Sequence, residues 1–211
     1  MSRGLKNFAP RTVALLVAAA FAGQAYANTG RVEFVFGGAT LRNAQGDRTL
    51  TRGVDLRTGD SVVTTDGRVQ IRFSDGAFVS LQPNTEFKID DYRFDGQADG
   101  NERGIFGLAK GAMRTVTGLV GRVNRGSYQV RTPTATVGIR GTGGIISILL
   151  DLSTLVRGTS GIWTLANQSG VTFDVPAGRA GLAGSDQTQP PKETAQAPSA
   201  PPAPPVEQTS N

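Results

Sequence analysis

Apolar and polar residues alternate with period two over short stretches of the chain, as in Val32, Phe34, Phe36, in Val69, Ile71, Phe73, in Val79, Leu81 and in Phe87, Ile89. That period puts one apolar face on each stretch and predicts half-buried strands. Turn formers lie between them at Gly37-Gly38, Asp66-Gly67, Asp75-Gly76, Pro83-Asn84 and Asp95-Gly96. A spacing of about 8 to 12 residues between such signals belongs to an all-β domain of many short strands. The two Asp-Gly pairs around Val69–Phe73 predict a tight turn at each end of that strand. Further strands are expected at Ser61–Thr64, Tyr128–Thr132, Thr136–Ile139, Ile145–Leu150, Ile162–Ala166 and Val171–Val175. Helical periodicity is nearly absent, and only Ile145–Val156 fits a buried strand and a short helix equally well.

The two ends of the chain read differently. Arg3, Lys6 and Arg11 open it without an acid, Val13–Ala22 is an apolar run of ten, and Ala25-Tyr26-Ala27 has the small-x-small pattern cut by signal peptidase. Residues 1–27 therefore read as a Sec signal peptide removed after Ala27, which places the mature chain in the periplasm or outside the cell. The run is much shorter than the roughly 20 apolar residues that span a bilayer, so a permanent anchor and stable membrane insertion of the mature chain are not expected. With no Cys there is no lipid attachment site after the cut. Residues 28–184 hold 26 of the 28 glycines and are expected to form one folded domain, as a short-stranded β-solenoid-like stack or a rolled β-sandwich. Residues 185–211 hold seven of the 11 prolines, no glycine and no aromatic residue, and are expected to be a disordered Pro-rich tail.

Charge then narrows the function. The 211 residues carry a formal +5, but three of the 22 bases sit in the leader, which leaves 19 bases against 17 acids. A chain so balanced is not expected to bind nucleic acid. The absence of Cys and His removes disulfides, thiol chemistry, Cys/His zinc sites and every imidazole-dependent triad. A Ser-Lys arrangement is the remaining nucleophile, and none of Lys6, Lys88, Lys110 and Lys192 sits in a motif with a serine. No cofactor and no metal are expected. Asp90, Asp91, Asp95, Asp99 and Glu102 make an acidic stretch over 90–102 whose spacing does not fit an EF-hand, so it reads as a solvated loop. Carboxylates such as Glu86 and Asp90 leave a polysaccharide-active enzyme as a remote alternative.

Three segments resemble the FecR domain of bacterial extracytoplasmic signalling proteins. The first is Gly59–Leu81 followed by Gln82-Pro83-Asn84-Thr85, with its apolar strand, Asp-Gly turn, second strand and Pro-Asn-Thr step; the second is Leu108–Gly118, LAKGAMRTVTG. The third is Tyr128–Thr142, whose Thr132, Pro133, Thr134, Ala135, Thr136, Gly138, Arg140, Gly141 and Thr142 match the signature TPTATxGxRGT. The resemblance covers about Val54–Thr142. It implies the outer part of a sensor that works by protein contact and catalyses nothing. The family's usual membrane helix and anti-sigma segment are not recognisable here, so a free-standing exported FecR-domain protein with an envelope protein partner is expected.

Arg131 and Arg140 have planar donors suited to a partner's carboxylate or backbone, although bracing of a turn explains them as well. Phe78 and Tyr92 fall off the inward phase of their strands and are expected to be exposed, where they could contact a partner or, in an alternative reading, a glycan or peptidoglycan. The sequence leaves the oligomeric state open.

Overall fold

The computed structural model describes residues 29–97, 99–123 and 126–195, with the side chains of 140–142 set aside. The leader and the run 197–206 lie outside the described residues. Strands β1 (Gly30–Phe36), β2 (Ala39–Asn43), β3 (Gly46–Thr49), β4 (Asp55–Leu56), β5 (Ser61–Thr64), β6 (Arg68–Phe73), β7 (Phe78–Leu81), β8 (Glu86–Arg93), β9 (Arg103–Lys110) and β10 (Ala112–Val116) precede a single turn and a half of helix, α1 (Leu119–Val123). Then come β11 (Tyr128–Arg131), β12 (Ala135–Ile148), β13 (Thr154–Asn167), β14 (Thr172–Pro176), β15 (Ala180–Ala183) and β16 (Lys192–Thr194).

All sixteen strands join one open mixed sheet with the path β3-β2-β5-β8-β9-β11-β12-β10-β7-β6-β1-β4. Every pair is antiparallel except β9 with β11. Strand β12 explains the shape. Its first half pairs with β11, as Gln129↔Gly138, and its second half with β10, as Met113↔Ile146. The sheet therefore folds over along β12, and again at the β1–β2 link, so that two wings face each other. The Phe73 ring from β6 meets the Phe106 ring from β9 edge-on across this gap, with centroids 5.1 Å apart. Of the two architectures open from sequence, this is the rolled sandwich. A solenoid needs stacked parallel rungs, and the ladder here is antiparallel almost throughout.

The stretch Ile145–Val156 is not helical. It contains the end of β12, a turn, and the start of β13, and this hairpin is the longest in the molecule. Strands expected separately at Thr136–Ile139 and Ile145–Leu150 are one strand, because the glycine-rich segment between them is absorbed as register shifts at Arg140/Gly143 and Gly143/Gly144. Trp163, fully buried on β13, lies over Gly144: a Cβ there would sit 2.3 Å from the indole.

Ordered structure also continues past Gly184. Strand β16 pairs with β15 through Leu182↔Lys192, inside the segment expected to be tail, and Pro191 is buried beside it. Composition argued against order in 185–195; backbone pairing to an existing edge overrides it. Among the described residues no helix is long and apolar enough to cross a membrane.

Candidate functional site

The three resembling segments converge as structure. In the first, Asp75 of the Asp-Gly turn between β6 and β7 is buried. Its Oδ1 accepts from Ala77 N at 2.9 Å and its Oδ2 from Val120 N at 3.1 Å, while its C=O accepts from Leu119 N at 3.0 Å. A residue 45 positions upstream thus caps the short α1, where Oδ2 and the carbonyl satisfy amides that have no partner inside a helix. The second segment supplies the clearance: at Gly118 a Cβ would lie 2.4 Å from both Asp75 O and Ala77 N and 2.5 Å from Asp75 Oδ2. The same logic joins the Pro-Asn-Thr step to β10. Thr85 Oγ1 accepts from Ala112 N and donates to Ala112 O, each at 3.1 Å, and Thr64 Oγ1 donates to Gln82 O at 2.6 Å while accepting from Thr85 N.

The signature builds one end of the molecule. Thr132 Oγ1 bridges Ala135 N and Ala135 O, closing the turn from β11 to β12. Thr154, at the start of β13, joins the hydroxyls of Thr132 and Thr134 at 2.7 Å each, and Thr134 Oγ1 reaches Leu152 O at 3.1 Å. The Pro133 carbonyl accepts from Gln168 Nε2 at 2.7 Å. Ala135 faces the core, whereas Gly138 has no heavy atom within 3.7 Å of where a Cβ would stand. Gly141 and Thr142 are strand residues of β12.

The residues singled out for partner contact do not gather into one site. Arg131 is exposed at the end of β11, paired in register with Thr136 on one side and Gly107 on the other. The Arg140 backbone pairs with Ile162 of β13, and its side chain lies outside the described part. Phe78 is half-buried on β7, with the Arg72 guanidinium 5.6 Å above its ring. Tyr92 is the correction. A register shift between Ile89 and Asp91 reverses the phase of β8, so its ring turns inward to Phe73 at 5.4 Å and Phe106 at 6.4 Å. Its hydroxyl accepts from Asp75 N at 3.0 Å and contacts Ser74 Oγ at 3.2 Å. Burial pushes the Tyr92 phenol well above its ordinary value, and does the same to Tyr128, whose hydroxyl bonds Thr115 Oγ1 at 2.8 Å.

The acidic stretch is spent on its own loop. Asp95 accepts from Gln97 N, Asp99 from Asn101 N and Nδ2, and the buried Glu102 carboxylate from Gly100 N. Among the described residues no group of three such side chains could hold a metal ion. Glu86 and Asp90, the carboxylates weighed for polysaccharide chemistry, face Arg42 at 3.5 Å and Lys88 at 3.3 Å on the outside of β8. Sequence reasoning missed Asp75 and Thr154. Each looks like an ordinary turn or strand residue, and only a tertiary partner far along the chain reveals its part.

Comparison with known proteins follows the same segment. Two crystal structures of a candidate anti-sigma factor from Parabacteroides distasonis share 14% and 13% identity with this chain, at TM-scores of 0.49 and 0.48. Each alignment covers 63% of this chain and 57% of the other, so this chain spans little more than half the length of those proteins. No curated protein is significantly similar in sequence. The family model described as FecR protein matches residues 55–148, from β4 to the end of β12, which includes all three motifs. Over those residues the chain is similar to the FecR family.

Proposed function

We propose that the protein is an exported, non-catalytic module of the cell envelope, signal-sensing or regulatory in kind, that acts by protein–protein contact. Similarity to the FecR family carries this reading. Export rests on the basic, apolar and small-x-small pattern of residues 1–27, with removal after Ala27 and a periplasmic or secreted mature chain. A non-catalytic role is supported by the way the buried Asp75 and the outer carboxylates are tied into caps and ion pairs.

The contact is β-augmentation at an open edge, with Arg131 and Arg140 as flanking donors. Strands β3, β4, β14 and β16 each pair on one side only. Strand β3 is Gly-Asp-Arg-Thr, β4 has two residues and β16 begins Lys-Glu, all poor templates for a further strand. Strand β14, Thr-Phe-Asp-Val-Pro, is the longest. Asn167 N bonds Val171 O at 3.0 Å, and alternation from that pair turns the N–H and C=O of Thr172 and Asp174 to the open side.

An Asp174→Pro change removes one outward N–H and leaves the backbone bonds to β13 in place, at the loss of one exposed side-chain bond, from Thr164 Oγ1 to Asp174 Oδ1. In pull-downs from envelope extract, proteins retained by the wild-type chain are expected to be lost with Asp174→Pro and weakened with Arg131→Ala and Arg140→Ala, at unchanged thermal midpoint. Identical partners for wild type and Asp174→Pro would remove β14 from the account. The glycan reading has less support at Tyr92 than expected, since that ring is half-buried and packed against the core.

A further inference from the structure

Four loops meet at the signature end. Thr134 of the 132–134 turn bonds Leu152 O in the 149–153 turn, Gln168 bonds Pro133 O, and Asn167 and Ser169 bond Gln187 O in the 184–189 segment. At the tip of the β12–β13 hairpin, Leu150 is completely exposed and Leu152 is 52% exposed. Leu152 also holds φ +67°, a left-handed conformation that a branched side chain adopts at a cost. The turn's own bonds, Leu152 N to Leu149 O and Leu149 N to Ser153 O at 2.9 Å each, set that conformation, and the bond from the signature residue Thr134 to the Leu152 carbonyl ties it to the signature. A strained backbone that displays two leucines to water, held by the residues that define the domain, does not serve the fold by itself.

The charges of this end say what it fits. The four loops contain Asp151 and Asp186 and no Lys or Arg, with Arg131 flanking on β11. Asp151 sits between the two leucines, and hydrogen bonds from Ser153 N at 3.0 Å and Ser153 Oγ at 2.8 Å hold its carboxyl below the usual range. Burying this tip in a lipid surface would carry an ionised carboxylate in with it, against the repulsion of anionic headgroups. A protein pocket rimmed by bases has no such cost.

We infer that the Leu150–Leu152 tip is a docking knob that inserts into an apolar pocket bordered by Lys or Arg on a partner protein of the envelope. The inference rests on the protein-contact reading above and assigns that contact a second, separate surface. A benzoylphenyl photocrosslinker placed at Leu150 of the full chain in its host, with Thr172 on the β14 edge and the exposed Gln45 as comparison positions, tests it. The expected result is a protein adduct from position 150, absent from position 45, whose crosslinked peptide lines an apolar pocket with Lys or Arg beside it.

Adduct yield should fall about tenfold or more on Leu152→Gly or Asp151→Lys, the scale set by losing one buried leucine contact or reversing a complementary charge. Leu152→Gly suits the left-handed backbone, so its thermal midpoint should not drop; Leu152→Asn, a polar residue that also tolerates that backbone, is the second variant if it does. A lipid adduct, an adduct to a second copy of this chain, the same adduct from position 45, or none from position 150 would each overturn the inference. An adduct at Thr172 with none at Leu150 would sink the knob alone. None at either position would sink the protein-contact reading with it.

Discussion

Replacing Gly118 by alanine tests whether the second motif exists to clear space for Asp75. The added Cβ would lie 2.4 Å from Asp75 O and Ala77 N and 2.5 Å from Asp75 Oδ2, and two of these are backbone atoms that cannot rotate away. Overpacking of this sort costs about 1–3 kcal/mol. Displacing the carboxylate also breaks a buried bond to Val120 N or Ala77 N, and a hydrogen bond to a charged group contributes about 1.5–3 kcal/mol. The sum, about 2.5–6 kcal/mol, is a large part of an ordinary domain's stability. It corresponds to a fall in melting temperature of about 5–24 °C for a domain of this size. Gly138→Ala is the matched control, because Gly138 also belongs to the family pattern but a Cβ there meets only Thr164, at 3.8 Å, without positive φ. That change is expected to be neutral or stabilising by about 0.4–1 kcal/mol through the unfolded state. Urea unfolding of the two variants beside wild type provides the measurement. A loss below about 1 kcal/mol for Gly118→Ala, or equal losses for both, would refute the clearance argument.

Three further outcomes follow from buried polar groups. Tyr128 is held neutral by burial, so the unfolded chain releases its proton first: stability is intact below about pH 10 and should fall by about 1.4 kcal/mol per pH unit above it. Tyr128→Phe should remove that share of the alkaline slope in denaturant titrations and leave the share due to the similarly raised Tyr92, and an unchanged slope would mean the Tyr128 phenol is already ionised in the fold. Thr154→Val removes one of the partners of each of the Thr132 and Thr134 hydroxyls, and two lost hydrogen bonds should cost about 1–3 kcal/mol, with faster amide exchange at Ala135 as the local readout. The Asp151 carboxyl is lowered by its bonds from Ser153, so its support for the hairpin turn is present above the ordinary carboxylate range and lost as pH falls through its folded value. Exchange at Ser153 N measured from neutral pH downward should show that loss, and Asp151→Asn should abolish the pH dependence.

The strands were readable because alternation is a local property: β5, β6, β7 and the start of β8 follow the expected phase residue by residue. What escaped was each place where one backbone shift changes the phase. A single extra residue near Asp90 turned the Tyr92 ring from the expected outside to a half-buried place against the core, and two shifts around Gly143 merged two predicted strands into β12. Periodicity cannot report a bulge in advance, since the bulged residue is chosen by the partner strand. Strand β16 was missed for a related reason, because composition weighs a segment alone whereas β16 is ordered by the edge of β15.

The signature shows why family was easier to read than partner. Thr132, Thr134 and Ala135 are recognisable in sequence because their hydroxyls and small volume are consumed inside the molecule, on Thr154, Leu152 O and the core. A hydroxyl already bonded within the fold has little left to offer a ligand. What these residues do instead is fix the positions of others, and two of those, Leu150 and Leu152, belong to no motif and fall in the stretch that fitted a buried strand and a short helix equally well. Substituting the signature should therefore damage folding and binding together, whereas Leu150→Ser should leave the melting temperature within the small range usual for solvated positions and change binding alone. If Thr134→Ala abolished partner binding with the Leu149–Ser153 turn unchanged by amide exchange, the signature itself would be the contact surface, and the division between scaffold and display would be wrong.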